Sequence, residues 1–167
     1  MGANFTIRRI GIEEVETFRR VRLEALCTEP ASYASSYDDW AALSTEDWME
    51  RLSEPVFVAF DDDEPVGLIG LLRQRPRKMA HRAMIVMVYV RKSSRGSGLA
   101  GSLFQAVTEY ARECGIRQLE LVVSAENPTA LRFYEREGFV EAGRVPGGFV
   151  QDGREIDEVL MVRRLAN

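Results

Sequence analysis

The chain has 167 residues, of which 46% are hydrophobic and 29% charged, and its formal net charge is −4. This length and composition predict one globular domain over residues 1–167 with a hydrophobic core of its own. The negative net charge argues against a nucleic-acid-binding protein, because such proteins usually carry an excess of basic residues.

Cysteine and histidine usage argues against a metal site. The two cysteines, Cys27 and Cys114, are far apart and His81 is the only histidine, so no pair has the spacing of zinc ligands. The apolar runs fall short of the roughly 18 residues that a membrane-spanning helix needs. We therefore expect a cytoplasmic protein that binds neither a metal nor a membrane.

The first half of the chain predicts a strand, two helices and a hairpin. Alternating residues indicate strands, and apolar residues at intervals of three and four indicate helices. In chain order these elements are a strand over Phe5–Arg9, a helix from Ile12 that ends at Glu29-Pro30, a short helix from Ser44 to about Leu52, and paired strands over residues 56–60 and 66–73. No helix or strand is assigned to the polar and aromatic stretch over residues 32–40.

The second half predicts a strand–helix–strand crossover, a further helix and a closing hairpin. Residues 83–90 carry no charge, which is typical of a central strand buried on both faces. The elements that follow are a helix from Leu99 to Cys114, a strand over residues 119–123, a helix from Asn127-Pro128 to Gly138, and strands over residues 139–145 and 156–163 joined through Pro146-Gly147-Gly148 and Asp152-Gly153. This order predicts a right-handed parallel crossover in an α/β fold.

The segment VYVRKSSRGSGLA, residues 88–100, predicts an anion site. Unpaired N–H groups and the dipole at a helix N-terminus bind phosphate. Gly96 and Gly98 let a ligand approach the backbone closely, and Arg91, Lys92 and Arg95 add positive charge. The segment lacks the lysine of a Walker A loop and the spacing of a dinucleotide-binding loop. A nucleotide-binding protein and a purely structural turn stay open as alternatives.

A second segment, residues 127–139, reads NPTALRFYEREGF. Asn127 and Pro128 suit the start of a helix, where an asparagine side chain caps free backbone N–H groups. Tyr134 fits a core tyrosine whose hydroxyl reaches the surface. Taken singly, these residues need only a structural explanation.

Together, the two segments resemble the GNAT superfamily of acetyl-CoA-dependent N-acetyltransferases. Arg95-x-x-Gly98-x-Ala100 matches that family's Gln/Arg-x-x-Gly-x-Gly/Ala signature, and residues 127–139 match its Asn-x-x-Ala-x-x-Phe-Tyr-x-x-x-Gly-Phe segment. The segments stand roughly thirty residues apart, and the resemblance extends over essentially the whole chain. It implies a mixed, mostly antiparallel central sheet with one parallel strand–helix–strand crossover and helices on both faces.

The resemblance also implies a binding site for acetyl-CoA as cosubstrate, with no metal. Backbone N–H groups of the glycine loop would hold the pyrophosphate, the end of the preceding strand would pair with the pantetheine arm, and Asn127 would hydrogen-bond that arm. The implied cofactor-binding residues are Val88, Val90, Arg95, Gly96, Ser97, Gly98, Leu99, Ala100, Gly101, Asn127 and Tyr134. Arg91, Arg132 and Arg136 are candidates for the 3′-phosphate by charge and location.

The implied reaction is acetyl transfer to a primary amine of a small metabolite or of a protein. Tyr134 would be the general acid on the leaving thiolate, since a phenol pKa of about 10 and a thiol pKa of about 8.5 permit a hydrogen bond between them. No cysteine or serine adjoins a usable base, so we expect direct attack by the amine in a ternary complex. The alternative is a catalytically silent CoA-binding sensor or interaction module.

The general base stays open, because the positions where relatives carry a glutamate are apolar here. Those positions read Ala83-Met84-Ile85-Val86 and Val122. His81, just before the buried strand, and Glu120, on the same strand face as Val122, are the side-chain candidates. A chain of water molecules without a dedicated base is the third alternative.

The acceptor pocket is expected between residues 27–52 and the last hairpin. Acidic side chains that could attract a cationic amine there are Asp38, Asp39, Glu155, Asp157 and Glu158. Aromatic side chains that could form an apolar wall are Tyr33, Tyr37, Trp40 and Phe149. Each set has the alternative of an ordinary surface or core position, and the resemblance leaves room for a homodimer.

Overall fold

The computed structural model describes residues 4–166, which form one seven-stranded sheet flanked by helices. The strands are β1 (Phe5–Arg9), β2 (Val56–Asp61), β3 (Glu64–Arg73), β4 (Arg82–Val90), β5 (Gln118–Ser124), β6 (Val140–Gln151) and β7 (Arg154–Arg164). The helices are α1 (Val15–Thr28), α2 (Tyr37–Ala41), α3 (Thr45–Arg51), α4 (Leu99–Glu113) and α5 (Pro128–Arg136).

The sheet is mostly antiparallel and contains one parallel pair. Its strand order is β1-β2-β3-β4-β5-β7-β6, and every neighbouring pair is antiparallel except β4 and β5. A parallel pair needs a long crossover connection, and α4 provides it. The predicted mixed α/β fold with one parallel crossover is confirmed.

Helices cover both faces of the sheet, because side chains along a strand alternate between its faces. In β2, Val56 and Val58 share a buried cluster with Phe18 of α1 and Trp48 of α3, whereas Phe57 belongs to the cluster of α4. The side chains of α4 in that cluster recur at helical spacing and are Leu99, Leu103, Phe104, Val107 and Ala111. The predicted placement of helices on both faces is therefore confirmed.

Two local predictions differ from the structure. Residues 32–40, where no helix is predicted, contain most of α2, whose five residues are too few to show an apolar period. β6 continues through residues 146–148, which are predicted as a connection, because they form a bulge opposite Asp157. The hairpin therefore turns only at residues 152–153. Among the helices within residues 4–166, none is long and apolar enough to cross a membrane.

Candidate active site

Strand β4 bulges where it passes β3. The register between the two strands shifts between Val86 and Tyr89, so that Met87 and Val88 together lie opposite Ile69. Met87 has a φ of +60°, a left-handed conformation that is uncommon for a residue other than glycine. Bulges bend a strand and are frequent beside active sites. This part of the sheet is therefore a candidate for the active site.

Strands β4 and β5 pair only over their first three residues and then separate. Their pairing joins residues 82–84 to residues 118–120 and ends there. Residues 85–90 of β4 and residues 121–124 of β5 therefore form the walls of a cleft within the sheet. The prediction of a strand buried on both faces is wrong for β4, since Val86 is only half-buried where it borders this cleft.

The backbone N–H groups of Val88 and Val90 face the cleft. The N–H of Arg91 bonds to β3 at 2.7 Å, and neighbouring residues of an antiparallel strand direct their polar groups to opposite sides. The two carbonyl groups on the cleft side are engaged, since Val88 O accepts from Tyr33 Oη at 2.8 Å and Val90 O accepts from Arg95 Nε at 3.0 Å. The strand edge thus offers N–H donors to a ligand.

The loop before α4 presents a run of backbone N–H donors. Gly96 and Gly98 have φ values of +79° and +84°, a conformation that glycine adopts without strain. The first hydrogen bond of α4 runs from Ser102 N to Gly98 O at 3.1 Å, and the N–H groups of residues 96–101 have no acceptor within residues 4–166. Together with the helix dipole, these donors have the arrangement that the predicted anion site requires.

Two of the nearby arginines are occupied by carboxylates. Arg95 forms an ion pair with Glu29. Arg91 bonds to Glu24 at 2.7 Å and to Glu64 at 3.1 Å, and its hydrogen bond to Glu24 raises the pKa of Arg91 above its usual value. In the part of the chain that the structure describes, the predicted phosphate-binding cations that are exposed and enter no ion pair are Lys92, Arg132 and Arg136.

Helix α5 places Asn127 and Tyr134 on the opposite wall. Asn127 Oδ1 accepts the N–H of Ala130 at 3.2 Å, which caps the helix and leaves the side-chain NH₂ group to donate elsewhere. The Tyr134 ring packs 5.8 Å from Phe104 and 6.2 Å from Phe139, measured between centroids. Burial raises the pKa of Tyr134 to about 12, so its hydroxyl stays protonated at neutral pH.

One cavity of about 740 Å³ brings these walls together. Residues 31–35 and the hairpin at residues 148–151 contribute to its lining, as expected for the acceptor side. Of the predicted site residues, the cavity is lined by Val88, Val90, Arg95, Ala100, Asn127, Tyr134, Tyr33, Trp40 and Phe149. Tyr37, which is predicted for the same wall, is exposed and lies outside the lining.

Neither side-chain candidate for the general base lies in this cavity. His81 precedes β4, and the six residues from it to Met87 span about 20 Å in an extended strand. Glu120 is buried beside Arg82, whose Nη2 lies 2.7 Å from Oε1, and Gln118 Nε2 donates to Glu120 at 2.8 Å. The hydrogen bond from Arg82 lowers the pKa of Glu120, which weakens it as a base. The geometry supports neither residue in the predicted role.

The predicted acidic wall is also missing from the cavity lining. All of the acidic side chains predicted for this wall lie outside the lining: Asp38, Asp39, Glu155, Asp157 and Glu158. The carboxylates that do line the cavity are Glu29 and Glu54, which pair with Arg95 and Arg75 respectively. Within residues 4–166, no group of three or more His, Cys, Asp or Glu side chains could hold a metal ion.

Sequence reasoning missed Arg22, an arginine buried in the cavity wall. It is 3% exposed, and its Cζ lies 4.8 Å from the ring centroid of Tyr33 and 4.5 Å from that of Trp40. In the sequence, Arg22 interrupts the apolar stripe of α1 between Phe18 and Ala25. That interruption was the available signal, because a charge at a buried helix position needs a compensating contact.

Comparison with known proteins identifies sequence relatives of this chain. Mycothiol acetyltransferase of Brachybacterium faecium is 32% identical over 137 residues, which are 78% of this chain and 41% of that protein. This chain thus spans less than half the length of that relative. L-methionine sulfoximine/L-methionine sulfone acetyltransferase of Pseudomonas aeruginosa is 26% identical over 160 residues, which are 93% of this chain and 92% of that protein.

The fold has a solved counterpart as well. The structure of yncA from Salmonella typhimurium with its cofactor acetyl-CoA superposes with a TM-score of 0.83 at 20% identity, covering 98% of this chain and 95% of that one. The chain also matches the Acetyltransferase (GNAT) family over residues 20–139. That match takes in most of α1, the bulged β4, the glycine loop and α5, and on it we conclude that this chain belongs to the GNAT acetyltransferase family.

Proposed function

We propose that this protein is an N-acetyltransferase that moves the acetyl group of acetyl-CoA to a primary amine. The observation that carries the proposal is the cleft between β4 and β5, which shares one cavity with Tyr134 and reaches the start of α4 at Ala100. An extended thioester with a pyrophosphate fits a cleft that has strand-edge donors along one wall and an anion site at its end. The names of the two sequence relatives support the same class of transfer.

At the anion site, the N–H groups of residues 96–101 hold the pyrophosphate in the proposed complex. Arg132 and Arg136 are left for the 3′-phosphate, because Arg91 is bound by two carboxylates. Arg95 acts on the loop rather than on the phosphates, since its guanidinium already binds a carbonyl of β4 and a glutamate.

Along the cleft, the proposed contacts to the pantetheine arm come from both walls. Val88 and Val90 donate their backbone N–H groups, because the carbonyl groups of both are engaged within the protein. Asn127 donates its side-chain NH₂ group from α5, since its Oδ1 caps the helix. These donors suit the amide carbonyls of an arm that lies as an added strand would.

The proposed chemistry is direct attack by a neutral amine on the thioester carbonyl. The C–N bond forms, the C–S bond breaks, the amine releases one proton to water and the sulfur acquires one. Tyr134 donates a hydrogen bond to the leaving sulfur. Its pKa of about 12 lies above the ordinary thiol value of about 8.5, so the phenol keeps its proton in a hydrogen bond and the released thiolate takes its own proton from water. Tyr134 therefore stabilises the thiolate mainly as a hydrogen-bonding acid.

The test is release of free CoA from acetyl-CoA over a panel of primary amines, run beside thermal-shift measurements with CoA and with ATP. We expect CoA release with at least one amine and stabilisation by CoA but not by ATP. Stabilisation by CoA with no turnover on any amine would support the sensor alternative. Stabilisation by ATP alone would support the nucleotide-binding alternative.

The proposal extends to assembly and location. β6 is an edge strand, and its Val140 and Val150 are 65% and 71% exposed, a surface that suits contact with a second copy. Sedimentation of the wild type against Val150→Glu tests the homodimer, which the variant should weaken. Cys27 and Cys114 are free thiols, which suits the reducing cytoplasm.

A further inference from the structure

We infer that the acceptor amine carries a carboxylate and that Arg22 binds it. The inference rests on the proposed function and names the class of its acceptor. Arg22 lines the cavity, and its Nε and Nη1 are buried with no hydrogen-bond partner within residues 4–166. A buried cation without hydrogen-bond acceptors is costly, so a ligand that supplies them at this position binds with an advantage.

The contacts that Arg22 does make leave its donors free. The ring faces of Tyr33 and Trp40 lie 4.8 and 4.5 Å from its Cζ. Aromatic faces attract a cation, but they accept none of the in-plane N–H bonds of a guanidinium in the way that a carboxylate does. Burial lowers the pKa of Arg22 to about 10, so the group remains charged at neutral pH.

The cavity supplies no internal carboxylate for this charge. Glu29 and Glu54 line the cavity but pair with other arginines, and Arg22 enters no ion pair within residues 4–166. Arg51 adds a second positive charge, with its Cζ 4.8 Å from the Trp40 ring. Within residues 4–166, its Nη1 donates only to a backbone carbonyl, that of Asp47 at 3.2 Å. This wall therefore favours an anion and disfavours a second ammonium group on the acceptor.

The position of Arg22 connects this anion site to the reacting end of the cleft. Tyr33 stacks on Arg22 and hydrogen-bonds the Val88 carbonyl with its hydroxyl, so one tyrosine ring separates the guanidinium from the β4 edge. A carboxylate held at Arg22 thus leaves an amine a few bonds away beside β4. An amino acid with an apolar side chain meets this geometry, since Trp40 and Phe149 line the same cavity. A dicarboxylic acyl-CoA would offer the same group from the donor side.

The experiment compares each apolar amino acid with its carboxamide and with its decarboxylated amine, using acetyl-CoA and succinyl-CoA as donors. For the wild type with acetyl-CoA, we expect kcat/KM at least tenfold higher for the free carboxylate. Arg22→Gln should bring the ratio of carboxylate to carboxamide close to one and raise the KM of the amino acid at least tenfold. The KM of acetyl-CoA should stay unchanged.

The matched control is Arg19→Gln, on the same helix. Arg19 also stacks on a tryptophan, Trp48, at 5.6 Å and lies outside the cavity lining, so its change should leave the ratio unaltered. If Arg22→Gln fails to fold, calorimetric binding of the N-acetylated amino acid and of its carboxamide to the wild type decides the point, with tighter binding of the carboxylate expected.

The outcomes separate this inference from the proposed function. Acetylation of amines with equal kcat/KM for carboxylates and carboxamides overturns the carboxylate site and leaves the acetyltransferase in place. Preference for succinyl-CoA that is lost in Arg22→Gln overturns the acceptor as the source of the carboxylate. No turnover with any amine or donor, despite CoA binding, overturns the proposed function itself.

Discussion

Tyr33 Oη donates a hydrogen bond to the carbonyl oxygen of Val88 at 2.8 Å. The bond ties the segment between α1 and α2 to the bulge of β4, across 55 positions of sequence. The bond occupies the Val88 carbonyl on the cleft side of β4 and leaves the N–H of Val88 as the free donor. One tyrosine therefore connects the proposed acceptor side of the cavity to the proposed cosubstrate side.

Tyr33→Phe should weaken acceptor binding more than cosubstrate binding. Losing one hydrogen bond costs about 1 kcal/mol, so we expect the KM of the acceptor to rise about fivefold and the KM of acetyl-CoA to change less. Steady-state kinetics with each substrate varied measures both. Tyr37→Phe is the control, because Tyr37 is exposed and outside the cavity. Equal effects of the two variants would contradict the role of Tyr33.

Tyr134→Phe should slow turnover by about 100-fold, the usual cost of removing a hydrogen-bond donor to the charge that develops in the transition state. The ring and its packing on Phe104 are retained, so the melting temperature should change little. Single-turnover kinetics with saturating acetyl-CoA measures the chemical step. Tyr110→Phe is the control, because it removes a hydroxyl that accepts from Arg9 and that does not line the cavity. An unchanged rate in Tyr134→Phe would remove Tyr134 from the reaction.

The pH dependence of kcat/KM should rise with deprotonation of the acceptor amine and show no fall from Tyr134 up to pH 10. Burial raises the pKa of this phenol to about 12, so at pH 10 about 99% of it still carries the proton. The profile is measured from pH 6 to pH 10 with wild type and Tyr134→Phe. A descending limb below pH 10 that disappears in the variant would mean that the phenol ionises there.

Gly98→Glu should abolish CoA binding. The position has a φ of +84°, and a carboxylate at the start of α4 repels a pyrophosphate held by the same N–H groups. Gly115→Glu is the matched control, because Gly115 is the exposed residue after the other end of α4 and has a φ of +77°. Both variants carry the same backbone strain. A difference in CoA affinity between them, measured by calorimetric titration, therefore reports the effect of the carboxylate at the start of α4. Retained affinity in Gly98→Glu would contradict the anion site.

Glu120→Gln should destabilise the protein by about 1–3 kcal/mol through the loss of charge-assisted bonds to Arg82. The turnover rate of the folded enzyme should be unchanged, because Glu120 does not line the cavity. Urea unfolding and kinetics of the same preparation measure the two effects. If turnover instead slowed by about 100-fold or more while stability was retained, Glu120 would be supported as the base.

The stability effect of Glu120→Gln should depend on pH in a defined direction. The hydrogen bond from Arg82 lowers the pKa of Glu120 in the folded state, against about 4.3 in an unfolded chain. Its contribution is therefore fully present above that value and is lost as the pH falls through the lower folded pKa. The difference between wild type and variant should be constant near pH 7 and shrink below about pH 4.

Local features of the fold follow closely from the sequence. The strand over Phe5–Arg9 and the helix from Leu99 are predicted at their observed positions, because their side-chain periods are read within a few residues. Asn127 caps α5 as predicted, since a cap joins residues three positions apart. Short or bulged elements such as α2 and residues 146–148 are not predicted, because their period is broken or too brief.

In the candidate site, too, the features within one continuous segment are predictable from the sequence, and those that join distant segments are not. The glycine loop and the Asn127–Tyr134 helix are continuous segments, so the sequence alone identifies the family and predicts the cosubstrate end of the cleft. The surroundings of Arg22 and Glu120, by contrast, are decided by tertiary structure. The first becomes an uncompensated cation in a cavity wall, and the second is bound by Arg82 at a distance of 38 positions in the chain. Helix caps and glycine turns depend on neighbouring residues, whereas burial and charge pairing depend on strand order, and only the folded sheet brings such partners together.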